Sequence, residues 1–530
     1  MFWPCFLILL VLSGCTVGPN FRTPKAAVAP EWIEARDNRV SAASADYRGW
    51  WKTFNDPVLN GLIDTAFREN LSLQSAGVRV LQARAQLGIA IGQIFPQTQQ
   101  AIGNLQYNRT AEQSGASAAA ASSGGTAIAP GGASLHYWQS QIGAQASWEI
   151  DFWGKFRRGI ESADATLLST LADYDSTLVT LTADVANDYI TIRTAEERIR
   201  IARENVVNQQ ETLKITESRF RYGTVTQLDV EQARTSLLNT QATIPSLTTQ
   251  LRQAQDALSV LLGMPPSTLG DLLAGASGIP VSPPQIVVGI PADLLRRRPD
   301  VRSAELQAAA QSAQIGVAKA DLFPAFSLTG SWLFVSTDLG KSKLSDMFKW
   351  GSRSIQAGPT FAWNLFNYGR ITNNVRVQDA QLQQLLLSYR NTVLSAQQDV
   401  EDNLAAFLQA QDRADLLARS VASARTAFDL AVLQYREGLK DFTTVLTAQQ
   451  ALLSQQDSLA STLGTISTSL VGVYRALGGG WEIREGQDLI PPEIKEEMAR
   501  RTNWGHLLAP SAYNLPASRE PKSAPRLPDW

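Results

Sequence analysis

Two long stretches of this chain, residues 156–220 and 371–437, contain no proline, and the second also lacks glycine. From residue 178 in the first and 393 in the second, each carries an apolar residue at every seventh position. The first set is Leu178, Val185, Ile192, Ile199, Val206, Leu213 and Phe220; the second is Val393, Val400, Phe407, Ala414, Val421, Phe428 and Tyr435. At an apolar content of 44%, fourteen such positions in phase arise by chance with a probability on the order of 10⁻⁵. A strict seven-residue repeat over this length predicts left-handed supercoiling of long α-helices. At 1.5 Å per residue each stretch spans about 98 Å, so these helices are rods and cannot be folded into a globular core. Small residues between the repeat positions, among them Ala195, Ala202, Ala410, Ala424 and Ala431, allow close helix approach.

The two stretches belong to an internal duplication. Trp148–Lys155 (WEIDFWGK) matches Trp363–Arg370 (WNLFNYGR) at an offset of 215, and the same offset pairs Phe220-Arg221-Tyr222-Gly223 with Tyr435-Arg436-Glu437-Gly438. Upstream, Ile94-Phe95-Pro96 pairs with Leu322-Phe323-Pro324 at offset 228, the first copy having the longer loop. Between the helices the period falls from seven to two. Ile142, Ala144, Ala146, Trp148 and Ile150 alternate with Gln141, Gly143, Gln145, Ser147 and Glu149; Ile355, Ala357, Pro359, Phe361, Trp363 and Leu365 alternate with Gln356, Gly358, Thr360, Ala362 and Asn364. Phe326, Leu328, Trp332 and Phe334, and more weakly Ala101, Gly103, Leu105 and Tyr107, complete four strands in two hairpins. Apolar, aromatic-flanked residues on one face and small polar residues on the other form the dyad pattern of an outer-membrane β-barrel. A soluble sandwich with one wet face is the alternative.

The N-terminus reads as an export signal, with an apolar core Phe6–Leu12 followed by Ser13-Gly14-Cys15. Leu-Ser-Gly-Cys resembles the lipobox of bacterial lipoproteins, which makes Cys15 a lipidation site and the first mature residue. Thr16, where an aspartate would mark inner-membrane retention, resembles outer-membrane sorting. No cofactor is expected beyond that covalent lipid.

Chemistry is poorly provided for. Two histidines, two cysteines and four methionines leave almost no soft or imidazole metal ligands. A net charge of −2 without a basic block disfavours nucleic acid as a partner. No nucleophile elbow, phosphate loop or metal motif occurs. The carboxylate pairs Asp184/Asp188, Glu401/Asp402, Glu196/Glu197 and Glu496/Glu497 read as solvated faces, and His136 and His506 as loop and tail residues. The chain is therefore not expected to be an enzyme, and no catalytic or metal site is assigned.

Four strands cannot close a barrel, and lipid tolerates no open sheet edge, so copies must share one barrel. These features resemble, end to end, the outer membrane factors of tripartite efflux pumps, of the TolC/OprM type and the NodT-like lipoprotein branch. The resemblance rests on Cys15–Phe21 (CTVGPNF) with Pro24, Trp50-Trp51, Phe54, Asp56-Pro57, Leu59, Leu62, Arg297–Val301 (RRPDV), Ala304-Glu305 and Tyr474–Trp481 (YRALGGGW).

The resemblance implies an α+β membrane fold, in which a coiled-coil helical barrel continues into an antiparallel barrel of twelve strands in a homotrimer. It implies as partners a periplasmic adaptor protein, an inner-membrane pump of the resistance-nodulation-division class and outer-membrane lipid. The function implied is passive export of small molecules; a same-fold duct for type I protein secretion is the alternative.

The expected order is a signal peptide over 1–14, a lipidated segment over 15–56, and a first repeat over 57–263. That repeat has strands near 98–108 and 140–151 and helices near 153–221 and 225–262. A Pro-rich connector over 264–290 leads to the second repeat, 291–478, with strands near 325–335 and 354–365 and helices near 368–437 and 442–477. A C-terminal segment covers 479–530, with a short helix at 492–502. Gly223 and Gly438 end long helices and mark hairpins, which in the family close the tunnel and meet the adaptor. The acidic ring of relatives is replaced here by Thr444 and Thr447. The expected gate residues are therefore Arg221, Tyr222, Gly223, Asp229, Arg436, Gly438, Lys440, Asp441, Thr444 and Thr447, with ion pairs from Arg221 or Arg436 to Asp441 or Asp229.

Overall fold

The computed structural model describes residues 16–41, 43, 46–109, 136–275, 278–291, 297–338 and 343–509. Cys15, the expected signal peptide over 1–14, the low-complexity part of the first hairpin loop and the C-terminal tail lie outside the described residues.

Eight helices and six strands organise this part of the chain in a recurring order. Helices α1 (Pro57–Glu69) and α2 (Leu71–Gly92) lead into strands β2 (Thr98–Arg109) and β3 (His136–Ile150). The long helix α3 (Lys155–Arg221) and the shorter α4 (Gln227–Leu261) follow. The second half repeats the plan with α5 (Pro299–Ala320), β5 (Ala325–Thr337), β6 (Arg353–Ala362), α6 (Arg370–Arg436) and α7 (Phe442–Ala476). Helices α3 and α6 are both 67 residues, and α4 and α7 both 35. Strand β1 (Val40–Ser41) pairs in parallel with β4 (Ile286–Val287), tying the N-terminal segment to the connector, and α8 (Pro492–Arg501) lies near the C-terminus.

All four long helices stop in the same way. After α3 the Thr224 amide reaches the Arg219 carbonyl and the Gly223 amide reaches Phe220; after α6, Leu439 reaches Gln434 and Gly438 reaches Tyr435. This is the Schellman pattern, and it needs a residue in the left-handed region. Gly223 (φ 73°) and Gly438 (φ 75°) supply it without a Cβ clash. The next helices then start at once, α4 with a Thr226/Asp229 capping box.

The main core sits in the middle of the rods. Leu178, Val185, Tyr189 and Ile192 of α3 meet Val400, Leu404 and Phe407 of α6, Leu470 and Val473 of α7, and Leu59, Leu62 and Ile63 of α1. Trp50 and Trp51 join them, Trp50 stacking on Tyr474 at 5.3 Å. The buried Arg484 guanidinium is hydrogen-bonded to Asp175, clamping the C-terminal segment against α3. Burial pushes the Asp175 carboxyl above its ordinary range, and the arginine opposes that push.

Three expectations are corrected here. Below the main core, the buried positions of α3 are Asn205, Gln209, Thr212 and Thr216, whereas Val206 and Leu213 are half-buried and Phe220 is exposed. Higher up α3 packs against α1 and α7 in the main core, whereas lower down it meets α4, α6 and α7, and the buried line lies one position away from the heptad line, with Thr216 beside the Tyr435 hydroxyl. Second, Asp184 and Asp188 are half-buried, not solvated. Third, Glu401 accepts a hydrogen bond from the Ile33 amide at 3.0 Å, and His136 begins β3, its ring nitrogen 2.9 Å from the Tyr107 hydroxyl.

Candidate functional site

The strands form one four-stranded antiparallel sheet in the order β2-β3-β5-β6. Cross-strand partners share a face. Ala101 and Gly103 oppose Ala144 and Ile142; these oppose Trp332 and Phe334; Trp332 in turn opposes Ile355. Further along, Trp148 opposes Leu328, which opposes Pro359, and Phe326 opposes Phe361. The register therefore gathers the apolar members of all four strands on one side. The opposite face gathers Gln100, Asn104, Gln106, Gln141, Gln145, Ser147, Glu149, Ser327, Thr329, Ser331, Gln356 and Thr360, with Ile102, Leu333 and Val335 as exceptions. A one-residue slip in any strand would exchange the two sets.

Aromatic residues collect at both ends of the apolar face. At the hairpin end, Tyr107 lies 5.3 Å from Trp138, and Trp332, Phe334 and Phe348 form a chain of ring contacts at 6.0 and 5.8 Å. At the helical end Phe152 touches Phe326 at 5.6 Å, and Trp153 stacks on Phe323 at 4.6 Å. Phe326 and Phe334 are eight residues apart on β5, about 27 Å of strand, close to the apolar band of an outer-membrane barrel. Phe361 lies at the helical end of that band, opposite Phe326. Ala357, opposite Gly330, holds the middle of that band.

The N-terminal segment is strapped down the outside of the body. The Val17 amide donates to the Trp153 carbonyl, and the buried Arg158 holds the Val17 carbonyl and Asn20 Oδ1, at 3.2 and 2.7 Å. Further along, Thr23 reaches Glu305, the Ala29 amide reaches Gln397, and Arg39 pairs with Asp412 at 2.7 Å. Thr16 lies against Gly154, where β3 gives way to α3.

At the far tip two helical hairpins meet. A small apolar cluster of Ala233, Ala431, Tyr435, Phe442 and Val445 joins α3/α4 to α6/α7. Arg219 donates to the Tyr435 carbonyl, and its guanidinium lies over the Tyr435 ring at 4.6 Å. Arg436 pairs with Glu211 at 3.1 Å, again between hairpins. These are not the pairs expected from the sequence. Asp229 spends its carboxylate on its own capping box, accepting from the Thr226 amide and hydroxyl, both at 2.9 Å. Asp441 is the N-cap position of α7 without a side-chain cap bond. Arg221, Tyr222, Lys440, Thr444 and Thr447 are exposed, and the Thr447 hydroxyl is turned back onto the Thr443 carbonyl at 2.8 Å. The Arg219 and Glu211 contacts were missed. The available signal was the alignment of Phe220 with Tyr435, which places an aromatic beside a basic residue at both tips.

Burial and the neighbouring Asp184 push the Asp188 carboxyl up to about 6. Among the described residues no cluster of three or more His, Cys, Asp or Glu could hold a metal ion, and no helix is long and apolar enough to cross a membrane.

An amphipathic sheet with two open edges, carried on rods of about 100 Å, is the body plan of an outer-membrane channel. The model of the outer membrane efflux protein family matches residues 62–264 and 290–479, so the chain belongs to that family. It is 31% identical over 473 residues to nodulation protein T of Rhizobium leguminosarum bv. viciae, covering 89% of this chain and 92% of the relative. It is 32% identical over 482 residues to the pyoverdine export outer membrane protein OpmQ of Pseudomonas putida, covering 90% and 98%. The solved outer-membrane channel OprN superposes with a TM-score of 0.80 at 31% identity, over 88% of this chain and all of that one. The protein is an outer-membrane efflux duct of a Gram-negative bacterium, built on an α+β channel fold. Its family consists of channels, not enzymes.

Proposed function

We propose that three copies of this chain close a single twelve-stranded barrel in the outer membrane, and that their helices form a tunnel leading down into the periplasm. The sheet register carries this reading. One apolar and one polar face, with both edge strands β2 and β6 unpaired among the described residues, demand further copies to satisfy the edge amides and carbonyls. Phe220 of α3 and Leu387, Leu394, Leu416, Leu430 and Leu433 of α6, all exposed, offer helix contacts between copies. Cys15 carries the lipid, held at the membrane boundary by the strap from Thr16 to Asn20.

In this assembly the duct is the passive last stage of a tripartite system. A periplasmic adaptor and an inner-membrane pump, of the resistance-nodulation-division class, supply the cargo and the energy. The tip formed by Gly223 and Gly438 is the gate, held by the small Tyr435 cluster and by Arg219 and Arg436 rather than by an acidic ring at Thr444 and Thr447. Contacts of this exposed kind are individually weak, which suits a closure that adaptor docking must undo. The cargo is small molecules, in keeping with the pyoverdine exporter among the relatives. Disrupting the gene and profiling sensitivity to dyes, detergents and antibiotics tests this. Increased sensitivity, reversed by the intact gene, is expected; unchanged sensitivity with loss of a secreted protein would contradict it.

A further inference from the structure

The strap and the rods occupy one end of the sheet, so the hairpin end faces the exterior. This inference rests on the reading that the apolar sheet face meets lipid. At the hairpin end, the described part of the β5–β6 connection and the first residue of β6 carry Lys343, Lys349 and Arg353 against the two acids Asp338 and Asp346. Lys349 pairs with Asp346 at 2.8 Å, leaving a net positive rim. Arg353 has an unusual place. By register it opposes Phe334, so it stands on the apolar side of the sheet, in line with Trp332 and Leu328 along β5. Its Nε donates to the Trp350 carbonyl at 2.9 Å and its guanidinium lies over the Trp350 ring. Among the described residues no carboxylate is paired with it. Trp350 is 81% exposed and Phe348 69%, the latter against Phe334.

An unneutralised guanidinium on the lipid side is costly unless an anion meets it. Two exposed rings beside it want acyl chain, not water. One occupant satisfies both demands: an amphiphile with phosphate at the height of the rim and several acyl chains below it. The outer leaflet of this membrane supplies such a molecule. We propose that Arg353, Lys349 and Lys343, framed by Phe348 and Trp350, form a binding site for the phosphorylated glucosamine headgroup of lipopolysaccharide. Arginine is suited to the role because its planar fork holds phosphate oxygens in pairs. The apolar band below Phe334 then receives the acyl chains.

The test titrates the detergent-purified assembly with bisphosphorylated lipid A, with dephosphorylated lipid A and with phosphatidylglycerol, reading bound lipid by native mass spectrometry. The intact protein should prefer the bisphosphorylated form by about tenfold or more. Arg353→Gln combined with Lys349→Gln should abolish that preference, Arg353→Lys should restore part of it, and Lys440→Gln at the opposite tip should leave it unchanged. Equal binding of phosphatidylglycerol by the intact protein, or a preference that survives the double change, would overturn the site. A carbene probe borne on an acyl chain separates this failure from that of the lipid-facing reading. Labelled strands with no lipid A preference reject only the glycolipid site, whereas unlabelled strands reject the membrane face itself.

Discussion

Replacing Arg219 with Ala is the sharpest perturbation of the gate. The side chain makes a charged hydrogen bond to the Tyr435 carbonyl and a cation–π contact with the Tyr435 ring, so one residue of the α3/α4 hairpin grips one of the α6/α7 hairpin. The first contact is worth roughly 1.5–3 kcal/mol and the second about 0.5–1 kcal/mol. The arginine is only half-buried, which reduces the sum to about 2 kcal/mol. That is roughly a thirtyfold change in an equilibrium constant. Single-channel conductance in planar bilayers reads it directly: Arg219→Ala should raise the open-to-closed ratio about thirtyfold. Arg219→Lys should fall between, since it keeps the charge but loses the fork. Asp229→Ala, which removes a helix cap, should lower stability by about 1 kcal/mol without opening the channel comparably. An intact Arg219→Ala assembly with wild-type closure would refute the assignment.

Other consequences are accessible to simpler assays. Cys15→Ala should abolish incorporation of labelled fatty acid into the mature protein, and persistent labelling would reject the lipidation site. Ala357→Arg, at the middle of the apolar face, should cost about 2–4 kcal/mol, while Gln356→Arg on the opposite face and Phe361→Arg at the interface should cost about 1 kcal/mol or less; equal losses in urea unfolding would contradict the two-faced sheet. The raised Asp188 carboxyl fixes a sign with pH. A neutral Asp188 favours the folded state below its unfolded value of 3.8, and that contribution is lost as pH rises through about 6. Asp188→Asn should therefore raise the melting temperature at pH 7.5 and change it little at pH 4; equal effects at both would show that the carboxylate is solvated.

The parts of the fold written in repeating patterns were legible. Period seven and the absence of proline located α3 and α6, and period two located β2, β3, β5 and β6 to within a few residues, because each pattern reports one buried or lipid-facing side. Depth in the membrane was not legible: Phe361 looks central along its own strand, and only pairing with Phe326 shows that it lies at the boundary. The seam of α3 around Asn205–Thr216 was hidden for a similar reason. Heptad position says which residues share a stripe, but not whether the chain's own helices or another copy will cover it. At the tips, glycine spacing gave the turns, whereas side-chain pairing depended on the stagger between hairpins. That stagger brings Glu211, not Asp229 or Asp441, to Arg436. The β1–β4 bridge of two residues per strand carries no periodic signal at all.

The shared barrel is the claim on which the account turns, because four strands with two open edges cannot reside in lipid alone. Native mass measurement of the protein extracted in mild detergent tests it most directly. A complex of three chains is predicted, resistant to dilution and lost when Ala357→Arg is introduced. A stable, folded monomer under the same conditions would contradict the shared barrel and the tunnel built upon it.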